Sequence, residues 1–204
     1  MNRYFHLALL FIVLLVLLWS GIHPHDQFTW LLEVFPAIIG IFVLLLTYRR
    51  FRFSNLVYFL IAIHMMILMV GGHYTYAQVP LFNWIRDTFD LSRNHYDRLG
   101  HLAQGFIPAI ISREILLRLS PLRKGKLLSF IIVCICLAIS ASYELIEFLV
   151  SVLTGTAAEA FLGTQGDIWD TQWDMLMALI GSVIALLSLS SVHDKAIAKQ
   201  NPGR

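Results

Sequence analysis

Three polar motifs interrupt an otherwise apolar chain, and they span Arg93–His101, Ser140–Glu147 and Gly166–Asp174. Together they supply carboxylates and histidines, which are the side chains that bind Mg²⁺, Mn²⁺ or Zn²⁺ in proteins. A metal held by such groups could grip a phosphate or pyrophosphate head group, or activate a water molecule. The motifs therefore indicate a pocket for a lipid or glycolipid head group, with a divalent metal as a candidate cofactor.

The spacing within each motif places its acids on a shared helical face. Asp97 and His101 are four residues apart, and Glu144 and Glu147 are three apart, so each pair lies side by side on a helix. The third motif continues the pattern with Asp167, Asp170 and Asp174.

The chain that carries these motifs has the composition of a membrane protein. It is 58% hydrophobic and only 14% charged, with a mean hydropathy of +0.72, whereas soluble domains are about 25% charged. Backbone groups in lipid must bond within their own segment, which favours helices. We expect an all-α, polytopic membrane helix bundle forming a single domain over residues 1–204. Six apolar segments predict its transmembrane helices: Tyr4–Ser20, Phe28–Tyr48, Ser54–Gly72, Leu99–Leu119, Lys126–Val152 and Trp173–Ser191.

The basic residues predict the orientation of these helices. One set of segment ends holds most of the lysines and arginines, and the opposite set holds only Arg86, Arg93 and Arg98. Basic residues remain on the cytoplasmic side, so both termini are expected there. The formal net charge of +2 gives no indication of nucleic acid binding. The basic ends are formed by Arg3, by Arg49, Arg50 and Arg52, by Arg118, Arg123, Lys124 and Lys126, and by Lys195, Lys199 and Arg204.

This orientation places two longer connections outside the cytoplasm. Residues 73–98 form the first, with a short surface helix expected around Phe82–Phe89. Residues 153–172 form the second, and Trp169 at its end suits a membrane interface. Residues 192–204 are expected to be a cytoplasmic tail.

The same orientation brings the polar motifs to one depth. His101 lies near the outer start of the fourth segment, and Asp174 lies near the outer start of the sixth. Glu144 lies roughly 10 Å below the outer end of the fifth segment, at about 1.5 Å per residue. An ionisable group inside a membrane costs roughly 2.5–3.5 kcal/mol, so these groups are expected to share one pocket in the outer leaflet.

We assign candidate roles on this basis. In an enzymatic interpretation, a carboxylate would act as general base and a metal as Lewis acid. The catalytic candidates are Glu144, Asp97 and His101, and the metal-ligand candidates are His101, Asp170 and Asp174. The binding candidates are His73, Tyr74, Asn94, His95, Arg98, Gln104, Tyr143, Glu147, Asp167 and Gln172.

Simpler roles are compatible with several of these residues. Asp97, Asp170 and Asp174 could each have capping of a helix N-terminus as their sole role. Glu147 could reach water at the end of its helix, and Arg113 and Glu114 could form a structural ion pair.

Two other functions fit the same sequence. The first is a proton-coupled transporter in which Glu144 and Glu147 relay protons, and this function predicts a polar pathway to the cytoplasmic side. The second is a non-catalytic accessory protein of an envelope complex, in which the polar groups hold the bundle together. The sequence alone does not establish whether the protein is an enzyme.

Four stretches of the chain resemble YjdF-type bacterial inner-membrane proteins, namely His73–Pro80, Arg93–His101, Tyr143–Glu147 and Gly163–Met175. The resemblance spans most of the chain. The function of this family is unknown, so the resemblance implies a multi-pass inner-membrane protein rather than an activity.

A weaker similarity links the chain to VanZ-like membrane proteins. It rests on Asp97-Arg98-Leu99-Gly100-His101, on Tyr143-Glu144 and on the acids at Asp170–Asp174. The chain departs from the VanZ pattern at Ile146 and Glu147, so the antibiotic-related role of those proteins is not implied here.

Overall fold

The structure, a computed structural model, describes residues 3–155 and 159–200, and its regular elements there are all helical. The predicted all-α fold class is therefore confirmed. The helices are α1 (Arg3–Ser20), α2 (Gln27–Thr47), α3 (Asn55–Tyr74), α4 (Pro80–Thr88), α5 (Tyr96–Leu119), α6 (Lys126–Thr154), α7 (Glu159–Leu162) and α8 (Asp170–Gln200).

Five of these helices are long and apolar enough to cross a membrane, namely α1, α2, α3, α6 and α8. The sequence predicted six spans, and α5 is the one that does not meet this measure. Its hydropathy is lowered by charged residues at both ends, of which Asp97, Arg113 and Glu114 are buried. Helices α3, α6 and α8 pack around α5, so its charges meet protein groups instead of lipid.

The closest helix pair is α5 with α8, and two glycines permit its close approach. A Cβ atom added at Gly105 would overlap the backbone of Ala178, and one added at Gly181 would overlap the backbone of Leu102. Small residues let transmembrane helices approach until their backbones touch. This packing places the first turns of α5 beside those of α8, where the acids of both helices lie.

Helix α4 is the surface helix that the sequence predicted around Phe82–Phe89. It spans Pro80–Thr88 and begins with a proline at its first position, where the missing N–H would have no helical partner. None of its residues is buried, and Leu81 and Trp84 are more than half exposed. An exposed apolar face of this kind suits the membrane interface.

Helix α8 continues beyond its predicted end at Ser191. It extends to Gln200, so most of the expected tail over residues 192–204 is helical; residues 201–204 lie outside the described part. The extension packs on the bundle, because Gln200 Nε2 donates hydrogen bonds to the backbone oxygens of Arg52 and Phe53 at 2.7 and 2.8 Å. Tertiary hydrogen bonds of this kind leave no signal in hydropathy.

A second group of buried polar residues lies at the opposite end of the bundle from the three motifs. Glu114 is fully buried and accepts hydrogen bonds from the backbone N–H and hydroxyl of Ser54 at 2.8 and 2.7 Å. It also lies 2.9 Å from His193 Nε2 and 2.7 Å from Arg118 Nη1. We call Ser54, Arg113, Glu114, Arg118, His193 and Asp194 the inner polar cluster.

The predicted ion pair between Arg113 and Glu114 is wrong. Arg113 instead contacts Asp194 at 2.7 Å and His193 Nδ1 at 3.1 Å. Consecutive residues on a helix point in different directions and do not face each other. The two side chains therefore serve the same cluster through separate partners.

Candidate functional site

The three polar motifs meet at one end of the bundle, which the predicted orientation places at the outer face, where α5, α6 and α8 converge with one residue of α2. Most of the charged side chains there are buried. We call the group the outer polar cluster. It consists of Glu33, Arg93, Asp97, Arg98, His101, Tyr143, Glu144, Glu147, Asp167, Asp170 and Asp174.

Arg98 joins the start of α5 to the start of α8. Its Nη1 lies 2.5 Å from Asp174 Oδ1, and its Nη2 lies 2.7 Å from Asp170 Oδ1 and 3.1 Å from Asp167 Oδ2. A guanidinium offers several N–H donors in a fixed plane, which suits contact with several carboxylates at once. The guanidinium group of Arg98 is thereby already occupied by carboxylates of the protein itself.

Arg93 precedes α5 and makes a similar set of contacts. Its Nη1 lies 2.5 Å from Asp170 Oδ1, and its Nη2 donates to the backbone oxygen of Gly163 at 3.1 Å and lies 3.6 Å from Asp97 Oδ2. Gly163 has a φ of +60°, a conformation that glycine adopts without strain. The two arginines therefore fix the segment before α8 over the outer end of α5.

His101 lies below the arginines and faces three carboxylates. Its Nε2 lies 3.6 Å from Asp97 Oδ1, 3.7 Å from Glu144 Oε1 and 3.9 Å from Asp174 Oδ1. Its Nδ1 lies 3.1 Å from Gln104 Oε1. A metal ion bound at Nε2 would require the tautomer in which Nδ1 carries the proton, and the Gln104 amide oxygen could accept a hydrogen bond from that N–H.

Glu144 has a carboxylate oxygen without a hydrogen-bond partner. The residue is 7% exposed, and its Oε1 is buried with no partner in the described part of the chain. An unsatisfied buried carboxylate oxygen is costly unless a proton or a cation accompanies it. One side-chain atom each from Asp97, His101 and Asp174 lies within 4.8 Å of the others, a spacing that could hold a metal ion.

A small cavity adjoins His101 on the side of α2 and α3. Its volume is about 20 Å³, which is room for about one water molecule or ion. Tyr143 donates its hydroxyl to Glu33 Oε2 at 3.1 Å along one wall. The cavity is lined by Glu33, Leu68, Tyr76, Asp97, Gly100, His101, Gln104, Tyr143 and Glu147.

The charges of the outer polar cluster do not balance. Its carboxyl groups come from Glu33, Asp97, Glu144, Glu147, Asp167, Asp170 and Asp174, whereas its guanidinium groups come only from Arg93 and Arg98. Buried charges are costly unless paired. The cluster therefore requires bound protons or a further cation.

The structure brings together most of the residues that the sequence singled out. Two of the simpler roles do not hold in it. Asp97 does not cap α5, because His95 occupies the N-cap position, and Glu147 does not reach water, because it is only 8% exposed. The predicted site residues that meet in or beside the cluster are Asp97, Arg98, His101, Gln104, Tyr143, Glu144, Glu147, Asp167, Asp170 and Asp174.

Three predicted binding residues lie apart from the cluster. His73 Nδ1 lies 2.9 Å from the backbone oxygen of Ser20, and its ring packs on Trp19 with centroids 4.5 Å apart. Tyr74 packs against the same two rings. Gln172 is exposed on α8. Their helices turn these side chains away from the acids.

Two more predicted binding residues flank the cluster and support its surroundings. Asn94 is fully buried and donates through Nδ2 to Asn83 Oδ1 at 2.8 Å and to the backbone oxygen of Val79 at 3.1 Å. It thereby ties α4 to the start of α5. His95 is partly buried, and its pKa is lowered by burial and, to a lesser extent, by the nearby positive charge of Arg93 and Arg98.

Glu33 is a member of the cluster that the sequence analysis missed. It lies in α2, is 4% exposed and contacts Tyr143. The sequence could have indicated Glu33, because it is the only charged residue within the apolar run of α2. Such residues within membrane helices usually face a protein interior.

Apolar side chains separate the outer polar cluster from the inner one. Ile107, Ala109 and Ile110 of α5 are at most 3% exposed, and Ala185 of α8 is fully buried. A proton-coupled transporter would need polar groups or water along this stretch. Ser140 of α6 and Ser182 of α8 are also fully buried, so the transporter function stays an alternative prediction.

Comparison with known proteins gives a family match over nearly the whole chain. The family model described as "Predicted membrane protein (DUF2238)" matches residues 5–195. The chain is 48% identical to the inner membrane protein YjdF of Escherichia coli (strain K12) over 185 residues, which is 91% of this chain and 88% of that protein. No solved structure gives a significant match. These matches confirm the resemblance to YjdF-type proteins and the multi-pass, inner-membrane localisation.

Proposed function

Since the chain belongs to the DUF2238 family of inner-membrane proteins, we propose that it binds a divalent cation in the outer polar cluster. Through that cation it would bind the phosphate-bearing head group of a lipid or glycolipid. The observation that carries the proposal is the environment of His101 Nε2, which faces Asp97, Glu144 and Asp174 at 3.6–3.9 Å.

A cation resolves the conflict among these acceptors. An unprotonated Nε2 and three ionised carboxylates would repel one another at such distances, and Glu144 Oε1 has no hydrogen-bond donor among the described residues. An ion placed among them would bind imidazole nitrogen and carboxylate oxygen, a combination that suits Zn²⁺ and Mn²⁺. Bonds of roughly 2.0–2.2 Å in tetrahedral geometry would separate the ligand atoms from one another by about 3.4 Å, so only small side-chain movements would be needed to surround one ion.

The charge of the cluster indicates why a phosphate would need the cation. Arg93 and Arg98 are the only arginines in the cluster, and both already contact its carboxylates. The excess of carboxylates repels a bare phosphate. A divalent cation would offset part of that negative charge and could bridge protein carboxylates and a head-group oxygen.

The proposal includes a topology of six spans with both ends in the cytoplasm. Helix α5 has 24 residues, which is enough to cross a bilayer at 1.5 Å per residue, and its charges face protein. The basic residues at the inner ends favour this orientation. A green fluorescent protein fused after residue 204 should fluoresce, and an alkaline phosphatase fused there should be inactive. The reverse result would invert the topology.

Metal analysis tests the binding site directly. We expect full-length protein purified in detergent and supplied with Mn²⁺ or Zn²⁺ to retain about one ion per chain after desalting. Asp174→Asn and His101→Ala should lose that ion. Asp87→Asn is the matched control, because Asp87 lies on α4 and its one ion pair within the described residues is with its neighbour Arg86 at 2.8 Å. It should retain the ion.

Two negative results together would exclude a cation site. If the wild-type protein retains no ion and its unfolding temperature does not rise with added Mn²⁺, Zn²⁺ or Mg²⁺, there is no cation site. Binding to the folded state alone must raise stability, so the two measurements check each other. Alanine variants that lower only the amount of protein, with the ion retained, would favour the accessory function instead.

A further inference from the structure

A second candidate binding site lies at the other end of the bundle, between the start of α3 and the last turns of α8. It is a groove of about 530 Å³. We propose that this groove binds the phosphate of an anionic phospholipid in the cytoplasmic leaflet. The proposal rests on the topology above but not on the outer cation site. The groove is lined by Ser54, Asn55, Val192, Lys195, Ala196, Lys199 and Gln200.

The charged side chains that line the groove are lysines. Among the residues that the structure describes, its lining includes Lys195 and Lys199 and no acidic residue. The two lysines are four residues apart on α8, so their ammonium groups reach the same face. Neither forms an ion pair within residues 3–155 and 159–200, whereas nearby Lys124 lies 2.7 Å from Asp194 Oδ2. Asp194, the neighbouring acid, is thus already paired with Lys124 and Arg113. The positive charge of the two groove lysines is therefore not neutralised.

The walls of the groove are held in place by hydrogen bonds. Gln200 Nε2 donates to the backbone oxygens of Arg52 and Phe53 at 2.7 and 2.8 Å, which fixes the end of α8 beside the start of α3. Ser54 donates its hydroxyl to the buried Glu114 at 2.7 Å. The opening therefore lies between anchored elements and is not a gap between loose ends.

The surroundings favour a lipid over a free anion. Val192, on the groove wall, is 51% exposed, and Ile184, three helical turns before Lys195 on the same face of α8, is 45% exposed. An apolar surface thus leads from the lysines into the bilayer, where acyl chains would lie. Basic pockets beside transmembrane helices on the cytoplasmic side suit anionic lipid head groups.

Native mass spectrometry of the full-length protein in detergent, titrated with defined lipids, tests this inference. We expect phosphatidylglycerol to bind more tightly than phosphatidylcholine. The double variant Lys195→Gln/Lys199→Gln should bind phosphatidylglycerol roughly tenfold more weakly. Lys126→Gln is the matched control, because Lys126 is an exposed lysine at the same end that lies outside the groove. It should bind like the wild type.

Further arms separate a lipid site from an anion site. Inorganic phosphate at millimolar concentration should not displace phosphatidylglycerol, and Lys195→Arg/Lys199→Arg should retain binding because it keeps the charge. Equal binding by wild type and the glutamine double variant would overturn the inference. Equal binding of the two lipids, or full displacement by phosphate, would also overturn it. The metal content of the outer polar cluster should not change in the lysine variants. Failure of the lipid-binding proposal can therefore be distinguished from failure of the cation-binding proposal.

Discussion

Arg98 on α5 and Asp174 on α8 form an ion pair with an Nη1 to Oδ1 distance of 2.5 Å. The Asp174 side chain is 4% exposed and that of Arg98 is 12% exposed. The same aspartate faces His101 at 3.9 Å. Asp174 thus belongs both to the ion-pair network that joins the helices and to the candidate cation site.

Removal of Arg98 should destabilise the protein strongly. Arg98→Ala leaves the buried Asp174 without its guanidinium partner, whereas Asp170 keeps Arg93, and loss of one partner of a buried pair costs about 3–5 kcal/mol. The free energy of unfolding in mixed detergent and SDS measures the effect. Adding Asp174→Asn should recover part of the loss, because it removes the charge that became unpaired. Strictly additive effects would show that the pair is not coupled.

The inner polar cluster should stabilise the fold without affecting the outer site. Glu114→Ala removes a fully buried acceptor shared by Ser54, His193 and Arg118, and we expect a loss of about 3–5 kcal/mol. Lys124→Gln is the control at the same end, and it should cost about 1 kcal/mol or less because the Lys124 side chain is 62% exposed. The folded Glu114→Ala protein should retain its metal ion. Loss of the ion would mean that the two clusters are coupled.

The contact between α5 and α8 should not tolerate a side chain at Gly181. A Cβ there meets the backbone oxygen of Leu102, which cannot rotate away as a side chain could. Gly181→Ala should therefore lower the free energy of unfolding by about 1–3 kcal/mol or more. It should also weaken metal retention, because the same contact positions Asp174 opposite His101. A variant with unchanged stability and metal content would contradict this packing.

Asp26 should make a pH-dependent contribution to stability. It caps α2 by accepting a hydrogen bond from the Thr29 backbone N–H at 2.7 Å, and this bond lowers the pKa of Asp26 below its usual value. The ionised carboxylate therefore stabilises the folded state at any pH above its ordinary pKa of about 4. That contribution disappears as the pH falls through the lowered value.

Comparison of two substitutions checks this prediction. Asp26→Ala should lower the free energy of unfolding by about 1 kcal/mol at pH 7, and the difference from wild type should shrink at a pH near 2. Asp26→Asn retains an oxygen acceptor without a titrating charge, so its difference from Asp26→Ala should not vary with pH. A constant difference between wild type and Asp26→Ala across the range would contradict the lowered pKa.

Part of the candidate site could be predicted from the sequence. His101, Glu144 and Asp174 were expected at one depth because each lies at a known distance from the outer end of its helix, and the structure places their side chains together. The partners of these residues were not predictable. Glu33 belongs to a different helix, and its approach to Tyr143 depends on how α2 and α6 are arranged around α3 and α5.

The sequence by itself determined that this is a membrane protein, that its membrane segments are helical, and at what depth the charged groups of the three motifs lie. Each follows from a local property, because burial of apolar side chains in lipid and the cost of charge in hydrocarbon act on every helix separately. Only the tertiary structure decided which charges became partners. Arg98 could have paired with any nearby acid, and its pairing with Asp174 follows from the close approach that Gly105 and Gly181 allow. Such an approach depends on the shapes of two helices at once, so the hydropathy of each segment alone cannot predict it.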